Sequence, residues 1–133
     1  MKPEQRLQIA ICDYIRLKYP KAMFMISPSG IKLTQGQAKN LKRSQNPSKG
    51  WPDLLIFKTK IDPSVNGLHE WAGLLIELKA EGTILYKKDG SMRKNEHTQN
   101  QNAMHLRLHQ EGYFATFATG FDETKKIVDW YLK

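Results

Sequence analysis

The sequence has almost no cysteine and no long apolar run, and each lack excludes a class of protein. Cys12 is the single cysteine among 133 residues, so an internal disulfide cannot form, and no Cys-x-x-Cys pair could build a cysteine-rich zinc site. No uncharged stretch approaches the roughly 18 residues of a membrane span, and no apolar segment follows the charged start as it would in a signal peptide. We therefore expect one soluble, cytoplasmic domain spanning residues 1–133, with no membrane partner.

Acidic residues are absent from a long stretch of the chain. No Asp or Glu occurs between Tyr14 and Pro52. The same stretch carries eight cations, Arg16, Lys18, Lys21, Lys32, Lys39, Lys42, Arg43 and Lys49. The whole chain has 21 Lys and Arg against 13 Asp and Glu, so this stretch accounts for the net charge of +8. Such a one-sided field attracts polyanions, with DNA the first candidate, although a solubilising surface is the alternative. The residues expected to contact DNA are Lys32, Lys39, Lys42, Arg43 and Lys49.

The order of periodic segments predicts an α/β fold. Apolar residues at helical or strand spacing predict a helix over Pro3–Tyr19, strands over Ala22–Ser27, Asp53–Phe57 and Trp71–Glu81, a helix over Thr98–Gln110, a strand over Tyr113–Thr119 and a helix over Asp122–Leu132. Residues 37–43 could form a short helix. Residues 58–70 read as a hairpin or loop, and residues 81–97 as a loop or an exposed hairpin that turns at Asp89-Gly90. This order indicates a mixed sheet with helices on its faces.

Three charged residues interrupt two apolar strands. Asp53 opens the run LLIF, and the strand LLIELKAE contains Glu77 and Lys79. Side chains two apart on a strand share a face. One face therefore carries Leu75, Glu77 and Lys79, and the other carries Leu74, Ile76 and Leu78. If the two strands pair, the three charged groups converge. A carboxylate in apolar surroundings must be satisfied, neutralised or used in chemistry.

Two carboxylates beside an ammonium group suit phosphodiester hydrolysis. Carboxylate oxygens are the donors that Mg²⁺ or Mn²⁺ prefers, and such an ion polarises a phosphoryl oxygen and acidifies a water, while a lysine positions that water or stabilises negative charge. The alternative is structural: Glu77 and Lys79 face solvent on a half-exposed strand, and Asp53 closes a turn after Pro52. Their joint occurrence inside apolar strands favours the site.

The motifs that hold these residues resemble those of a known nuclease superfamily. GWPD, residues Gly50–Asp53, and IELK, residues Ile76–Lys79, are similar to the PD-(D/E)xK signature. More narrowly, the chain resembles the VRR-NUC family, whose pattern adds a glutamate in an early helix and a glutamine that opens a helix ending in Leu-x-x-x-Gly. Glu4 matches the glutamate and Gln101 the glutamine, with Gly112 at the family's spacing.

This resemblance implies a restriction-endonuclease-like core, in which a central mixed β-sheet is flanked by helices, and a Mg²⁺-dependent DNA endonuclease activity. Stand-alone members of this size resemble homodimeric enzymes that cut four-way (Holliday) junctions or other branched DNA. Two alternatives stay open. One is a non-catalytic nucleic-acid-binding module with structural acids, and the other is a restriction-type nuclease that contacts specific bases.

The resemblance also implies a role for each matching residue. Asp53 and Glu77 would bind the metal, with the main-chain carbonyl of Leu78 as a further ligand, and Lys79 would handle the attacking water. Gln101 would orient Lys79 or the phosphate. Glu4 would contact metal-bound water. For Glu4 the alternative is a favourable acid in a helix first turn, and for Gln101 a polar residue at a helix N-terminus.

Two further groups of polar residues have an open interpretation. His97, His105 and His109 lie in the predicted third helix or at its start, but no acid or cysteine at zinc spacing accompanies them, so we expect surface positions. A second basic group lies near the Glu77 strand, with a contact to the DNA backbone or a solvated loop as its two readings. Its members are Lys87, Lys88, Arg93 and Lys94.

Overall fold

A mixed four-stranded sheet is the frame on which the helices pack. The computed structural model describes residues 1–28, 31–64 and 69–133. The elements are α1 (Pro3–Lys18), β1 (Phe24–Ile26), α2 (Gln35–Arg43), β2 (Leu54–Ile56), β3 (Lys60–Asp62), β4 (His69–Trp71), β5 (Leu74–Lys79), α3 (Glu96–Gln110), β6 (Phe114–Thr119) and α4 (Gly120–Leu132). The strand order is β1-β2-β5-β6; β5 and β6 are parallel and the other pairs antiparallel. The predicted mixed α/β class is confirmed. None of the helices in the described ranges combines the length and apolar character that a bilayer crossing requires.

The alternating side chains of β5 build a core on each face of the sheet. Leu74, Ile76 and Leu78 join a buried cluster with side chains of α1 and α4, while Leu75 packs on the opposite face with side chains of α3. All six residues of β5 are buried. Glu77 and Lys79 are only 4% and 9% exposed, so the reading that places them in solvent is wrong. Because they share the face of Leu75, both lie on the side that α3 covers.

The segment predicted as one strand over Trp71–Glu81 is two strands separated by a close backbone contact. A Cβ atom at Gly73 would lie 3.1 Å from the carbonyl oxygen of Ile56 and 3.3 Å from the ring of Tyr113. β5 begins after this contact, at Leu74. Trp71 belongs instead to β4, which pairs with β3 in a small separate hairpin. The hairpin reading of residues 58–70 is therefore confirmed, and residues 65–68 between its strands lie outside the described residues.

The short helix α2 carries part of the cationic stretch on its surface. Its first turn is closed by a capping box, in which Gln37 N donates to Thr34 Oγ1 at 3.1 Å and Thr34 N donates to Gln37 Oε1 at 3.0 Å. This cap starts the helix two residues earlier than predicted. None of its nine described residues is buried. Its cations Lys39, Lys42 and Arg43 are consequently available to a partner.

Asp129 of α4 joins the two helices that cover one face of the sheet. Its Oδ1 accepts hydrogen bonds from the hydroxyls of Tyr14 (2.7 Å) and Tyr19 (2.6 Å) of the α1 region. The ammonium groups of Lys18 and Lys125 lie at 3.4 Å and 3.3 Å from its carboxylate. Burial by itself raises the pKa of Asp129, but the hydrogen bonds from these four side chains outweigh it and hold the pKa well below its usual range.

We expect Asp129→Asn to destabilise the fold by about 2 kcal/mol at pH 7, because hydrogen bonds to an ionised group are worth about 1.5–3 kcal/mol. A folded-state pKa below the unfolded value of about 3.9 means that the folded protein binds fewer protons there. The contribution is present above pH 4 and is lost as the pH falls toward the folded pKa. Urea unfolding between pH 7 and pH 2 measures it, with exposed Asp13→Asn as control. An equal loss for both variants at pH 7 would contradict the expectation.

Candidate active site

The pairing of β2 with β5 brings the predicted charged residues to one end of the sheet. The strands are antiparallel, and Leu54 lies opposite Ile76. Asp53 precedes Leu54 and Glu77 follows Ile76, so the register sets the two acids side by side. The Oδ2 atom of Asp53 accepts a hydrogen bond of 2.9 Å from the backbone N–H of Leu78. The strand pairing on which the sequence argument depended is therefore present.

A glycine fixes the segment before Asp53 against α3. Gly50 has φ +91°, a conformation that other residues adopt only with strain. A Cβ atom there would lie 3.2 Å from the carbonyl oxygen of Asn100. Within the segment itself, the indole N–H of Trp51 donates to the carbonyl of Pro47 at 2.7 Å. The approach of this segment to α3 brings Asp53 near the residues that α3 contributes.

A cleft of about 450 Å³ opens where these elements meet. Its polar lining includes Glu4 from α1, Asp53 before β2, Glu77 and Lys79 from β5, and His97 and Gln101 from α3. The structure thus places all five residues of the predicted catalytic set around one cavity. Glu4 is exposed in the first turn of its helix. The catalytic role of each residue stays a prediction.

Glu77 is held in surroundings that oppose its ionisation. Burial, a hydrogen bond with Asp53 and the charge of Asp53 raise the pKa of Glu77 to about 10. The ammonium group of Lys79 acts in the opposite direction, and the charge of Glu4 adds to the increase. Two carboxylates so close cannot both carry a charge without compensation. A proton or a cation must neutralise the pair.

Gln101 connects Glu77 to a histidine that the sequence argument left on the surface. Its Nε2 donates to Glu77 Oε1 at 2.7 Å and lies 3.2 Å from Nε2 of His97. In this orientation the amide presents its NH₂ group to both the Glu77 carboxyl oxygen and the His97 ring. His97 Nε2 can then accept the second amide hydrogen only when its own proton is on Nδ1. The signal that could have found His97 is its position four residues before Gln101, on the same helix face.

Lys79 lies beside an aromatic ring and a neutral imidazole. Its Nζ is 5.9 Å from the ring centroid of Phe117, and the ring of His105 is 4.5 Å from the same centroid. Burial, with smaller contributions from the charges of His109 and Lys79, lowers the pKa of His105 to about 4. The expected surface position is wrong for His105, which is 4% exposed, because its face of α3 packs against β6. The ring of His109 is half-buried and contacts the carbonyl of Ala115.

The oxygen-rich end of the cleft fits a hard divalent cation. Asp53 and Glu77 supply carboxylates that need neutralisation, and the buried Oε1 atom of neighbouring Gln101 has no hydrogen-bond partner. Among the described ranges, no three His, Cys, Asp or Glu side chains are arranged to hold a metal ion. A carboxylate pair that leaves the remaining positions to water and phosphate oxygens is how proteins usually hold Mg²⁺. Leu78 lines an adjoining cavity together with Asp53 and Glu4.

The predicted DNA contacts differ in their distance from the cleft. Lys42 and Lys49 line it, and Lys32 lines the adjoining cavity. Lys39 and Arg43 are exposed on α2. The first three cations are therefore part of the walls around the carboxylates, whereas the other two extend the same positive surface along the helix.

Comparison with known structures supports the fold described above. A solved structure described as "VRR_NUC domain protein" superposes on this chain with a TM-score of 0.67 and 21% sequence identity, covering 99% of this chain and 89% of that chain. No family model matches the sequence, and no curated protein matches it. The similarity establishes that this chain has the fold of that VRR_NUC domain protein. The resemblance inferred from the motifs is thus confirmed at the level of the fold.

Proposed function

We propose that this protein is a Mg²⁺-dependent DNA endonuclease of the VRR-NUC type, a hydrolase that cuts phosphodiester bonds. The observation that carries the proposal is the convergence of Asp53, Glu77 and Lys79 in one cleft. Asp53 immediately precedes β2 and the other two lie on β5, and the fold is that of a VRR_NUC domain protein. A structural role for the acids does not require a lysine beside them or a cationic wall around them.

The chemistry follows from the positions of these side chains. The bound ion, Mg²⁺ or Mn²⁺, would supply Lewis acidity toward a phosphoryl oxygen. Asp53 and Glu77 would hold the ion, and the hydrogen bond from Gln101 keeps the Glu77 carboxyl group in one orientation. Lys79, beside the pair, positions the attacking water or stabilises the charge that develops on the phosphate. Glu4, which lines the cleft, would contact metal-bound water.

We further propose that the substrate is branched DNA, such as a four-way junction, and that the enzyme acts as a homodimer. One cleft cuts one strand, so symmetric cleavage of two strands needs two copies. The sequence resemblance to junction-resolving nucleases supports this choice, and the cations of α2 and of the cleft walls supply contacts to phosphates. A DNA substrate implies an intracellular, DNA-associated protein.

Cleavage of end-labelled four-way junction, flap and linear duplex DNA tests the activity. We expect cuts in the presence of Mg²⁺, preference for the junction, and no cuts in EDTA. The Asp53→Ala protein, purified in the same way, controls for contaminating nucleases. Binding without cleavage of any substrate by folded protein would favour the non-catalytic module. A fixed cleavage sequence on plasmid DNA would favour the restriction-type enzyme.

A further inference from the structure

The segment between β5 and α3 forms an ordered, exposed hairpin, residues 82–94, here called the basic finger. Tyr86 bridges Met92 across the turn, and Lys87 N donates to the carbonyl of Ser91 at 2.7 Å. At the tip, Asp89 accepts hydrogen bonds from the backbone N–H and the hydroxyl of Ser91 at 2.9 Å and 2.6 Å. The exposed-hairpin reading of this segment is confirmed. Its side chains are consequently presented on a defined backbone.

The basic finger presents cations and apolar groups together. Its exposed cations are Lys87, Lys88, Arg93 and Lys94. Asp89 is its single acid and is engaged with Ser91. Leu85 is buried and anchors the base of the finger, whereas Ile84 and Tyr86 on either side of it are 65% and 50% exposed. The finger therefore offers an apolar surface with an aromatic ring, surrounded by positive charge.

The base of the basic finger adjoins the candidate active site. The finger follows β5, which ends at Lys79. It precedes α3, which begins at Glu96, one residue before His97. Leu85 shares a small cavity with Phe117, whose ring lies beside Lys79. A second small cavity joins the finger to Thr98 in the first turn of α3. The finger is thus joined along the chain to both elements that supply cleft residues, β5 with Glu77 and Lys79 and α3 with His97 and Gln101.

We propose that the basic finger is a second nucleic-acid contact surface, which binds phosphates through its cations and an unpaired base through Tyr86. The proposal rests on the proposed nuclease function and narrows its substrate to DNA with unstacked bases beside the scissile phosphate. Exposed aromatic rings among cations are the composition of surfaces that bind unpaired strands, because bases stack on the ring while Lys and Arg pair with phosphates. Ile84 and Met92 border Tyr86 and extend the contact.

Binding measurements on the full chain in EDTA, where no cleavage is expected, test the phosphate contacts. We compare K87S/K88S/R93S/K94S with a charge-matched control, K21S/K58S/K126S/K133S, whose exposed residues lie outside the finger and the cleft. We expect the finger variant to lose at least about tenfold in affinity at 0.1 M salt. Its plot of log K against log salt should be shallower by about 3 to 4, since each of the four lost phosphate contacts removes about 0.7 on a single strand and about 0.9 on a duplex. The control should change affinity by less than about threefold, and equal behaviour of the two variants would overturn the proposal.

Tyr86→Ala tests the base contact. We expect about a tenfold loss of affinity for a forked duplex with unpaired arms, in keeping with the contribution of one stacked base, and little change for a blunt duplex of equal length. An equal effect on both DNAs, or none on either, would overturn the contact. If the wild type binds DNA and the finger substitutions do not change its affinity, this inference alone is rejected. If the wild type neither binds nor cuts DNA, the proposed function is rejected as well. Circular dichroism and thermal melts verify that each variant folds.

Discussion

The variants Asp53→Ala, Glu77→Ala and Lys79→Ala should each lower the rate of DNA cleavage by about a thousandfold or more while leaving DNA affinity within about threefold of wild type. In the proposed function the two carboxylates would hold the ion and Lys79 would act on the reacting atoms, so their removal should affect the chemical step. The contacts that we propose to bind DNA are instead cations on α2, the cleft walls and the basic finger, which these variants leave in place. Single-turnover cleavage of labelled junction DNA and anisotropy binding in EDTA measure the two quantities separately.

Two control variants match the charge changes away from the cleft. Glu70→Ala removes an exposed acid on β4, and Lys126→Ala removes an exposed cation on α4. Both should cleave within about twofold of wild type. A cleavage rate for Asp53→Ala that equals the rate for Glu70→Ala would show that the acids are not catalytic. Loss of folding in Asp53→Ala, with normal cleavage by Lys79→Ala, would assign the cluster a structural role.

The second large effect concerns stability: Glu77→Gln should melt higher than the wild type in EDTA. The wild type buries Glu77 against the carboxyl group of Asp53 and, because its pKa is raised to about 10, keeps it protonated at pH 7, whereas the unfolded chain ionises it. Glutamine is neutral in both states and removes this cost, while its side-chain oxygen still accepts from Gln101. A gain of about 1–2 kcal/mol corresponds to a rise of about 3–8 °C for a chain of this size. The gain reflects a common feature of binding sites, in which function is maintained at a cost in stability.

Added Mg²⁺ separates this explanation from a simple packing effect. A ligand that binds only the folded state raises its stability, so 10 mM Mg²⁺ should raise the melting temperature of the wild type and leave Glu77→Gln nearly unchanged. The difference in melting temperature between the wild type and Glu77→Gln should therefore be smaller in Mg²⁺ than in EDTA. Glu70→Gln, the exposed control, should respond like the wild type. A melting temperature for Glu77→Gln that is several degrees below that of the wild type in EDTA would refute the argument that protonating Glu77 costs stability.

The parts of the fold that could be predicted are those that depend on the local spacing of apolar residues. The face of α1 and the alternation of β5 follow from spacing alone, and the structure buries Leu7, Ile11 and Ile76 as the pattern requires. The break before β5 could not be predicted, because it depends on the contact between Gly73 and the carbonyl of Ile56, which belongs to another strand. Such contacts exist only after the strands have paired.

The residues of the candidate site likewise divide into those that local sequence identifies and those that depend on tertiary contacts. Asp53, Glu77 and Lys79 could be identified because charge inside an apolar strand is unusual at any position. The burial of His105 could not be predicted from the sequence, because it lies in a polar helix like His97, which is exposed as expected and shares a helix face with Gln101. Their different environments depend on which face of α3 meets β6 and which borders the cleft. The hydrogen bond of Gln101 to Glu77, rather than to Lys79, likewise depends on the distance between α3 and β5.

The contact between Gly50 and the backbone of α3 has a consequence for biosynthesis. The acids Asp53 and Glu77 leave the ribosome well before Asn100 and Gln101, the part of α3 that closes the cleft behind them. A nascent chain that has emerged only through β5 holds both carboxylates but has neither the helix against which the Gly50 turn is seated nor the amide that orients Glu77. The proposed hydrolytic activity therefore requires that α3 has been synthesised and has packed behind β5.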